Sequence, residues 1–179
     1  MKPKNDLHCH YDGVCIYATI SVKPNIVAKI ILSFINLFLL AAITVFIIEG
    51  VIVAALAFSV LEFFTIKYTL WNILGEERLI INTRSLSYQQ HYGFFNTPLH
   101  TISFNKKISI LIYDQTTENE LTLVKFLVES YNDQHLPEVI YHSVLNITDA
   151  DFKRLLEHVD RLYIDEMSER HAMPDIILN

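Results

Sequence analysis

One long apolar stretch, residues 26–74, limits the folds open to this chain more than any other feature. Between Lys29 and Lys67 its only formal charges are Glu49 and Glu62. A single helix over the whole stretch would be about 70 Å long at roughly 1.5 Å per residue, more than twice the thickness of a bilayer's hydrocarbon core. The chain must therefore reverse direction within the stretch.

The reversal is predicted at Glu49-Gly50, the one charged and flexible break, because glycine adopts tight-turn conformations readily. The two arms, residues 26–48 and 51–74, each exceed the roughly 20 apolar residues that cross a bilayer. The alternative is a buried hairpin in a soluble protein, but the remaining chain is too short to cover both helices on every side. The sequence thus predicts a transmembrane helical hairpin with its turn near residues 49–50.

Cationic residues lie on both flanks of the predicted hairpin, whereas its turn carries only Glu49. The flanking cations are Lys2, Lys4, Lys23, Lys29, Lys67, Arg78 and Arg84. Segments rich in Lys and Arg next to membrane helices stay in the cytoplasm. We therefore expect a multi-pass protein of the inner (cytoplasmic) membrane with both termini cytoplasmic. The long polar segment before the first helix is unlike a cleavable secretory signal.

Two polar residues, Asn36 and Glu62, interrupt the apolar arms. Counted from the turn they reach nearly the same depth, about 18–20 Å at roughly 1.5 Å per residue. Polar groups at such depth are costly unless they find partners. We expect Glu62 to be protonated and hydrogen-bonded to Asn36, which would fix the register of the two helices. Contact of Glu62 with a partner subunit is a second interpretation, and a proton pathway is a third.

The part of the chain that follows the hairpin is acidic. Residues 75–179 include nine Lys or Arg against sixteen Asp or Glu, whereas residues 1–74 include five against four. Nucleic acids and anionic lipid surfaces recruit positive surfaces. We therefore expect neither nucleic acid nor an anionic headgroup to be a partner of this domain. The two cysteines are too few for a disulfide framework.

Short segments of alternating apolar residues predict an antiparallel meander. They are residues 78–82, 85–92, 99–104, 107–113 and 139–145. Residues 118–132 carry apolar residues at helical spacing and are predicted as a helix, although the run LTLVKFLV also suits a strand.

A final amphipathic helix is predicted to begin after Thr148, which is a suitable N-cap residue. Apolar residues then recur at helical spacing and are expected to close the open face of the sheet. They are Phe152, Leu155, Leu156, Val159, Leu162 and Tyr163. Residues 168–179 are expected to form a tail.

The leader, residues 1–25, contains the one ligand-rich cluster, His8-Cys9-His10. Zinc ligands are usually spaced two to four residues apart and come in pairs from separate segments. The cluster fits that pattern poorly, so we expect no metal and a loose polar leader. Residues 14–22 alternate and are a candidate edge strand that docks on the soluble domain.

No other combination of residues indicates chemistry. The remaining histidines are scattered, without a Ser, Cys or carboxylate at a spacing that specifies a nucleophile or an acid–base pair. With four glycines in the chain, there is no phosphate-binding loop. The sequence therefore predicts no catalytic residue, no cofactor and no small-molecule substrate.

The order of elements resembles bacterial membrane-anchored pleckstrin-homology-like (PH-like) proteins. In these, a two-helix hairpin leads through an LWxxxGxE junction, here residues 70–77 (LWNILGEE), into a small sheet capped by a helix, here introduced by NITDADF at residues 146–152. The resemblance covers residues 24–165. It implies an α+β fold in which a transmembrane hairpin precedes a small antiparallel sheet, folded as a sandwich or partial barrel, over residues 75–167. The helix predicted over residues 118–132 and the leader depart from that pattern.

The resemblance supplies no catalytic residues. The combination of an anchor, a small acidic domain and no evident chemistry favours a non-enzymatic interaction module that docks a protein partner at the membrane. An immunity protein or inhibitor that captures a toxin or enzyme at the membrane is the alternative.

Overall fold

The computed structural model describes residues 5–104, 106–118, 121–132 and 134–170. The chain is α+β, with two strands, two long apolar helices, seven further strands and a last helix. In chain order the elements are β1 (Asn5–Tyr11), β2 (Ile16–Val22), α1 (Ile26–Ile48), α2 (Ile52–Leu74), β3 (Glu76–Ile81), β4 (Ser85–His91), β5 (His100–Ser103), β6 (Ser109–Glu118), β7 (Leu121–Tyr131), β8 (Pro137–His142), β9 (Ile147–Thr148) and α3 (Asp149–Arg170).

The first sheet is antiparallel, in the order β1-β2-β3-β4-β5. The helical hairpin is inserted between its neighbouring strands β2 and β3, which pair with Ala18 opposite Leu79. The Val22 N–H also donates to the Gly75 carbonyl over 2.9 Å. From Asn5 onward the leader is therefore not a loose segment, because it supplies two strands of the domain. The expected edge strand is an inner strand, β2, and β1 lies at the edge.

The second sheet joins β6, β7 and β8 in that order, and β9 pairs with β7. The helix predicted over residues 118–132 is wrong, because β7 is a strand throughout. Val124 and Val128 are buried in the strand, and the predicted helix would also have placed them on its apolar face. The strand exposes Leu121 and Tyr131, which the helix would have placed on the same face. Burial at every second residue, with Phe126 fully enclosed, outweighed the helical spacing.

The last helix, α3, begins as predicted. The Thr148 hydroxyl oxygen accepts from the Asp151 N–H over 3.1 Å, which satisfies one of the free amides of the first turn. Its apolar face is buried through Phe152, Leu155, Val159 and Leu162. The helix extends to Arg170, past the predicted start of the tail, and residues 171–179 lie outside the described residues.

A single core joins both sheets and α3. Its most enclosed side chains come from both sheets and α3 and are Ile16, Ala18, Ile20, Leu79, Ile81, Leu86, Val124, Phe126, Val128, Ile147, Leu155 and Leu162. Because β1 and β2 contribute to this core, the domain depends on chain segments from both sides of the hairpin.

The two hairpin helices are long and apolar enough to cross a membrane, and they are almost uncovered by protein. Within them only Leu39, Ala55, Glu62 and Thr69 are buried. The last three are seven residues apart, so they lie along one seam of α2, as in coiled-coil packing. Large apolar side chains elsewhere on both helices are exposed. This exposure argues against a buried hairpin in a soluble protein and favours association with a membrane.

The predicted turn at Glu49-Gly50 is confirmed. Gly50 has φ +71°, a conformation that glycine adopts without steric cost. Because β2 and β3 pair directly, the segments before and after the hairpin lie on the same side of it.

Candidate functional site

The end of α2 leads into β3 through one residue, Gly75. Its N–H donates to the Trp71 carbonyl over 3.0 Å. A Cβ at Gly75 would lie 2.1 Å from that carbonyl oxygen, so no other residue fits without a shift of the backbone. The glycine of the LWxxxGxE pattern is therefore a requirement of this close approach.

Aromatic side chains fasten the domain to the end of α2. The rings of Trp71 and Tyr92 are 5.0 Å apart, and Tyr92 stacks on Phe95 at 4.9 Å with an interplanar angle of 8°. Gly93, with φ +83°, contacts Leu74 so closely that a Cβ would lie 2.6 Å from the Leu74 Cδ1 atom. The end of β4 and its following loop are thus packed directly on the helix.

Glu77, the glutamate of the same pattern, is buried in β3 with 2% of its surface exposed. Its carboxylate accepts from the Val144 N–H over 3.1 Å and from the Leu145 N–H over 3.2 Å. Burial raises the pKa of the Glu77 carboxyl, whereas the nearby Tyr141 hydroxyl and the two amides act to lower it. The carboxylate therefore joins the first sheet to the loop between β8 and β9. The only sequence feature that singled out Glu77 was its position in the LWxxxGxE pattern. That pattern did not predict the hydrogen bonds to the loop.

A cavity of about 310 Å³ lies where α2 meets the domain, and we call it the junction cavity. It is lined by Phe64, Lys67, Tyr68, Trp71, Gln90, Tyr92 and Val144. The Lys67 ammonium lies 5.7 Å from the centre of the Tyr92 ring. Within the part of the chain that the structure describes, no carboxylate comes within ion-pair distance of it. The cavity therefore combines aromatic walls with a cation that pairs with no carboxylate of the described residues.

The expected hydrogen bond between Asn36 and Glu62 does not form. The Asn36 amide donates to the Thr69 hydroxyl over 2.7 Å and to the Leu32 carbonyl over 2.6 Å. Both carboxyl oxygens of Glu62 are buried without a hydrogen-bond partner among the described residues.

The depth count failed because side chains in a helix lean toward its N-terminus. The first helix runs toward the turn and the second runs away from it. Asn36 therefore leans away from the turn, whereas Thr69 leans toward it, and the two meet. Glu62 also leans toward the turn and so away from Asn36. Glu62 lies in the seam of the hairpin, where 4% of its surface is exposed.

The side chains of His8, Cys9 and His10 do not converge. They lie in β1, where successive side chains point to opposite faces. Both histidines are exposed, whereas Cys9 packs against the core. Burial raises the pKa of the Cys9 thiol to about 11, so it carries its proton at neutral pH and is a poor ligand or nucleophile.

Among the described residues, no group of three or more His, Cys, Asp or Glu is arranged to hold a metal. The two features with potential for recognition are thus the junction cavity and the exposed surface of the domain. Comparison of the chain with known protein families, curated proteins and solved structures found no match.

Proposed function

We propose that this chain is a membrane-anchored, non-enzymatic interaction module whose domain docks a protein partner on the cytoplasmic side. The observation that carries the proposal is the open edge of β6. This strand has ten residues and, among the described strands, pairs only with β7. Leu111, Ile112 and Tyr113 are 44%, 41% and 45% exposed. A long strand edge with exposed apolar side chains is a template for a further strand.

The chemistry of β6 and of the domain indicates an extended, basic segment as the partner. The domain and its tail are acidic, with nine Lys or Arg against sixteen Asp or Glu. Asp114 lies on β6 itself and is half exposed, and its carboxylate lies 3.9 Å from the Lys125 ammonium of β7. The pairing with β7 shifts between Ile112 and Asp114, so an added strand would pair regularly on one side of this bulge. Charge complementarity would guide the approach, and backbone hydrogen bonds would supply affinity.

The location follows from the anchor. The two helices would cross the membrane, and the strands on both sides of the hairpin share one sheet, which requires one compartment for both. The flanking cations favour the cytoplasm for that compartment. The resemblance to PH-like proteins, whose fold also combines antiparallel sheets with a C-terminal helix, supports the same arrangement.

A photo-crosslinking amino acid at Ile112 tests the proposal in native membranes. Tyr17 is the matched control, because it is exposed to a similar extent (42%) but lies on an inner strand of the first sheet. We expect a discrete adduct at Ile112 and none at Tyr17, with the crosslinked peptide extended and basic. The yield of the adduct should fall when Asp114→Lys is introduced into the chain that carries the photo-crosslinking amino acid at Ile112. If neither site gives an adduct and mild-detergent purification at native expression level recovers this chain alone, the proposal fails.

The topology has its own test. A reporter that is active in the cytoplasm should be active when fused to the C-terminus, and a reporter that requires export should be inactive there. Activity of an exported reporter at this position would contradict the cytoplasmic placement.

A further inference from the structure

We propose that the junction cavity binds one phospholipid of the surrounding bilayer, with its phosphate on Lys67. The inference rests on the proposed insertion of the hairpin in a membrane. It adds a lipid site that the docking role of β6 does not require.

Lys67 lies at a depth where its ammonium can reach the lipid headgroups. Each hairpin helix has 23 residues and is about 34 Å long at roughly 1.5 Å per residue, slightly more than a hydrocarbon core of about 30 Å. Lys67 lies seven residues before the end of α2, so its backbone is below the headgroup level by about two helical turns. A lysine at this depth extends its ammonium toward the polar interface. The contact with Tyr92, a residue of the domain, shows that the ammonium reaches that level.

The Lys67 ammonium has no carboxylate partner in the part of the chain that the structure describes. An ammonium at the edge of hydrocarbon is costly unless an anion or water balances it. No described carboxylate pairs with Lys67, although the domain above it is rich in carboxylates. The phosphate diester of a phospholipid is the anion that every phospholipid bilayer supplies at this level.

The walls of the junction cavity favour a lipid over a free phosphate ion. Phe64 and Tyr68 line the cavity, and 63% and 61% of their surfaces are exposed along the part of α2 that faces the bilayer. An acyl chain fits against these side chains, whereas a hydrated inorganic ion gains nothing from them. Gln90 places a polar side chain on the domain side of the cavity. Its Oε1 atom accepts a hydrogen bond from the Tyr92 hydroxyl over 3.2 Å. Apolar surface below and polar groups above match the two parts of a phospholipid.

This site does not conflict with the acidity of the domain. Lys67 belongs to the first 74 residues, which carry five Lys or Arg against four Asp or Glu. The domain's negative charge disfavours a diffuse anionic surface, but a single phosphate seated on one ammonium is a local pair. Exposed acidic residues elsewhere on the domain act on it only weakly at physiological ionic strength, where the Debye length is about 8 Å. The acidic group beside the cavity wall is Glu77, which is buried and hydrogen-bonded to the Val144 N–H.

Native mass spectrometry of the full chain, released from detergent with added dioleoyl-phosphatidylglycerol, tests the site. Lys67→Gln removes the cation, and Lys67→Arg keeps it. Lys29→Gln is the matched control, because Lys29 is exposed in the first turn of α1, at the same end of the hairpin, but does not line the cavity. Loss of a charge-assisted hydrogen bond corresponds to a reduction in affinity of roughly tenfold or more.

We expect one phospholipid per chain to be retained by the wild type, Lys29→Gln and Lys67→Arg, and to be lost from Lys67→Gln. Equal retention by the wild type and Lys67→Gln would overturn the site. Equally tight binding of digalactosyldiacylglycerol, which has no phosphate, would overturn phosphate recognition. Competition by millimolar inorganic phosphate would overturn the assignment to a lipid.

Alkaline carbonate extraction of the same variants separates this inference from the anchor. Chains that stay in the membrane pellet but bind no phospholipid refute the lipid site alone. Release of the wild type into the supernatant would refute membrane insertion, and the lipid site with it.

Discussion

Replacing Glu77 by leucine should destabilise the domain far more than replacing it by glutamine. Leucine removes the acceptor for two backbone amides, those of Val144 and Leu145. An unsatisfied buried N–H costs about 1–3 kcal/mol. The full cost applies at Leu145, which is buried, whereas Val144 is 47% exposed and water can replace part of its bond.

The expected loss for Glu77→Leu is about 2–4 kcal/mol, which corresponds to a fall in Tm of roughly 5–15 °C for a domain of this size. Glutamine keeps one acceptor oxygen at nearly the same position, so Glu77→Gln should cost about 1 kcal/mol or less at neutral pH. Glu76→Leu is the matched control on the neighbouring residue. It breaks only a partly exposed ion pair with Arg78, at 2.8 Å, and should cost about 0–1 kcal/mol.

Thermal unfolding in mild detergent, followed by tryptophan fluorescence and circular dichroism, measures these differences. Trp71 is the only tryptophan, and it lies at the junction beside Tyr92, so its emission reports on this region. If Glu77→Leu melts within about 2 °C of the wild type, or if Glu77→Gln is equally damaging, the carboxylate does not hold the loop as described.

The pH dependence gives a second readout of the same residue. The pKa of Glu77 in the folded chain lies above its ordinary value of 4.5. The folded state therefore binds this proton more tightly than the unfolded state. The resulting stabilisation is complete below about pH 4.5 and declines as the pH rises through the folded pKa. The difference in stability between wild type and Glu77→Gln should fall over that window, and a difference that rises with pH would contradict the direction.

Three further predictions concern the junction, the hairpin and the leader. Gly75→Ala places a Cβ 2.1 Å from a backbone oxygen and should cost about 2–3 kcal/mol or more in thermal unfolding, whereas Gly13→Ala, which has open space but φ +95°, should cost about 1 kcal/mol. Asn36→Leu and Thr69→Val should show a coupling of about 0.6 kcal/mol in a double-mutant cycle of hairpin stability, and additive effects would show that their hydrogen bond contributes nothing. Cys9 should react with iodoacetamide at pH 8 slowly in the folded chain and at least tenfold faster after unfolding; equal rates would mean that the thiol is not buried.

The sequence predicted most reliably those elements whose pattern has one physical interpretation. The hairpin and its turn followed from length and hydropathy alone, and Thr148 marked the start of α3 because its hydroxyl can cap a helix. β7 was mistaken for a helix because Val124 and Val128 are compatible with both periods. Burial of Phe126 between the sheet and α3 decides between them, and that contact is not local in the sequence.

The recognition features were harder to foresee because they depend on segments far apart in the chain. The leader's strands could be suspected from their alternation, but their pairing with β3 crosses the whole hairpin. The junction cavity brings together Lys67, Gln90 and Val144, and no spacing in the sequence relates them. The depth estimate that joined Asn36 to Glu62 ignored the lean of the side chains, and the Asn36 amide bonds Thr69 instead.

The insertion of the hairpin between two neighbouring strands has a consequence for how the chain is made. β1 and β2 leave the ribosome before the hairpin, and residues 23–75 must follow before β3 can pair with β2. At roughly 5–20 residues per second this interval lasts about 3–10 s, during which the two strands form at best a marginal hairpin. A chain that crossed the bilayer only once would leave β2 and β3 in different compartments and could never complete its sheet. Correct folding of the domain therefore excludes a chain in which only one of the two helices crosses the bilayer.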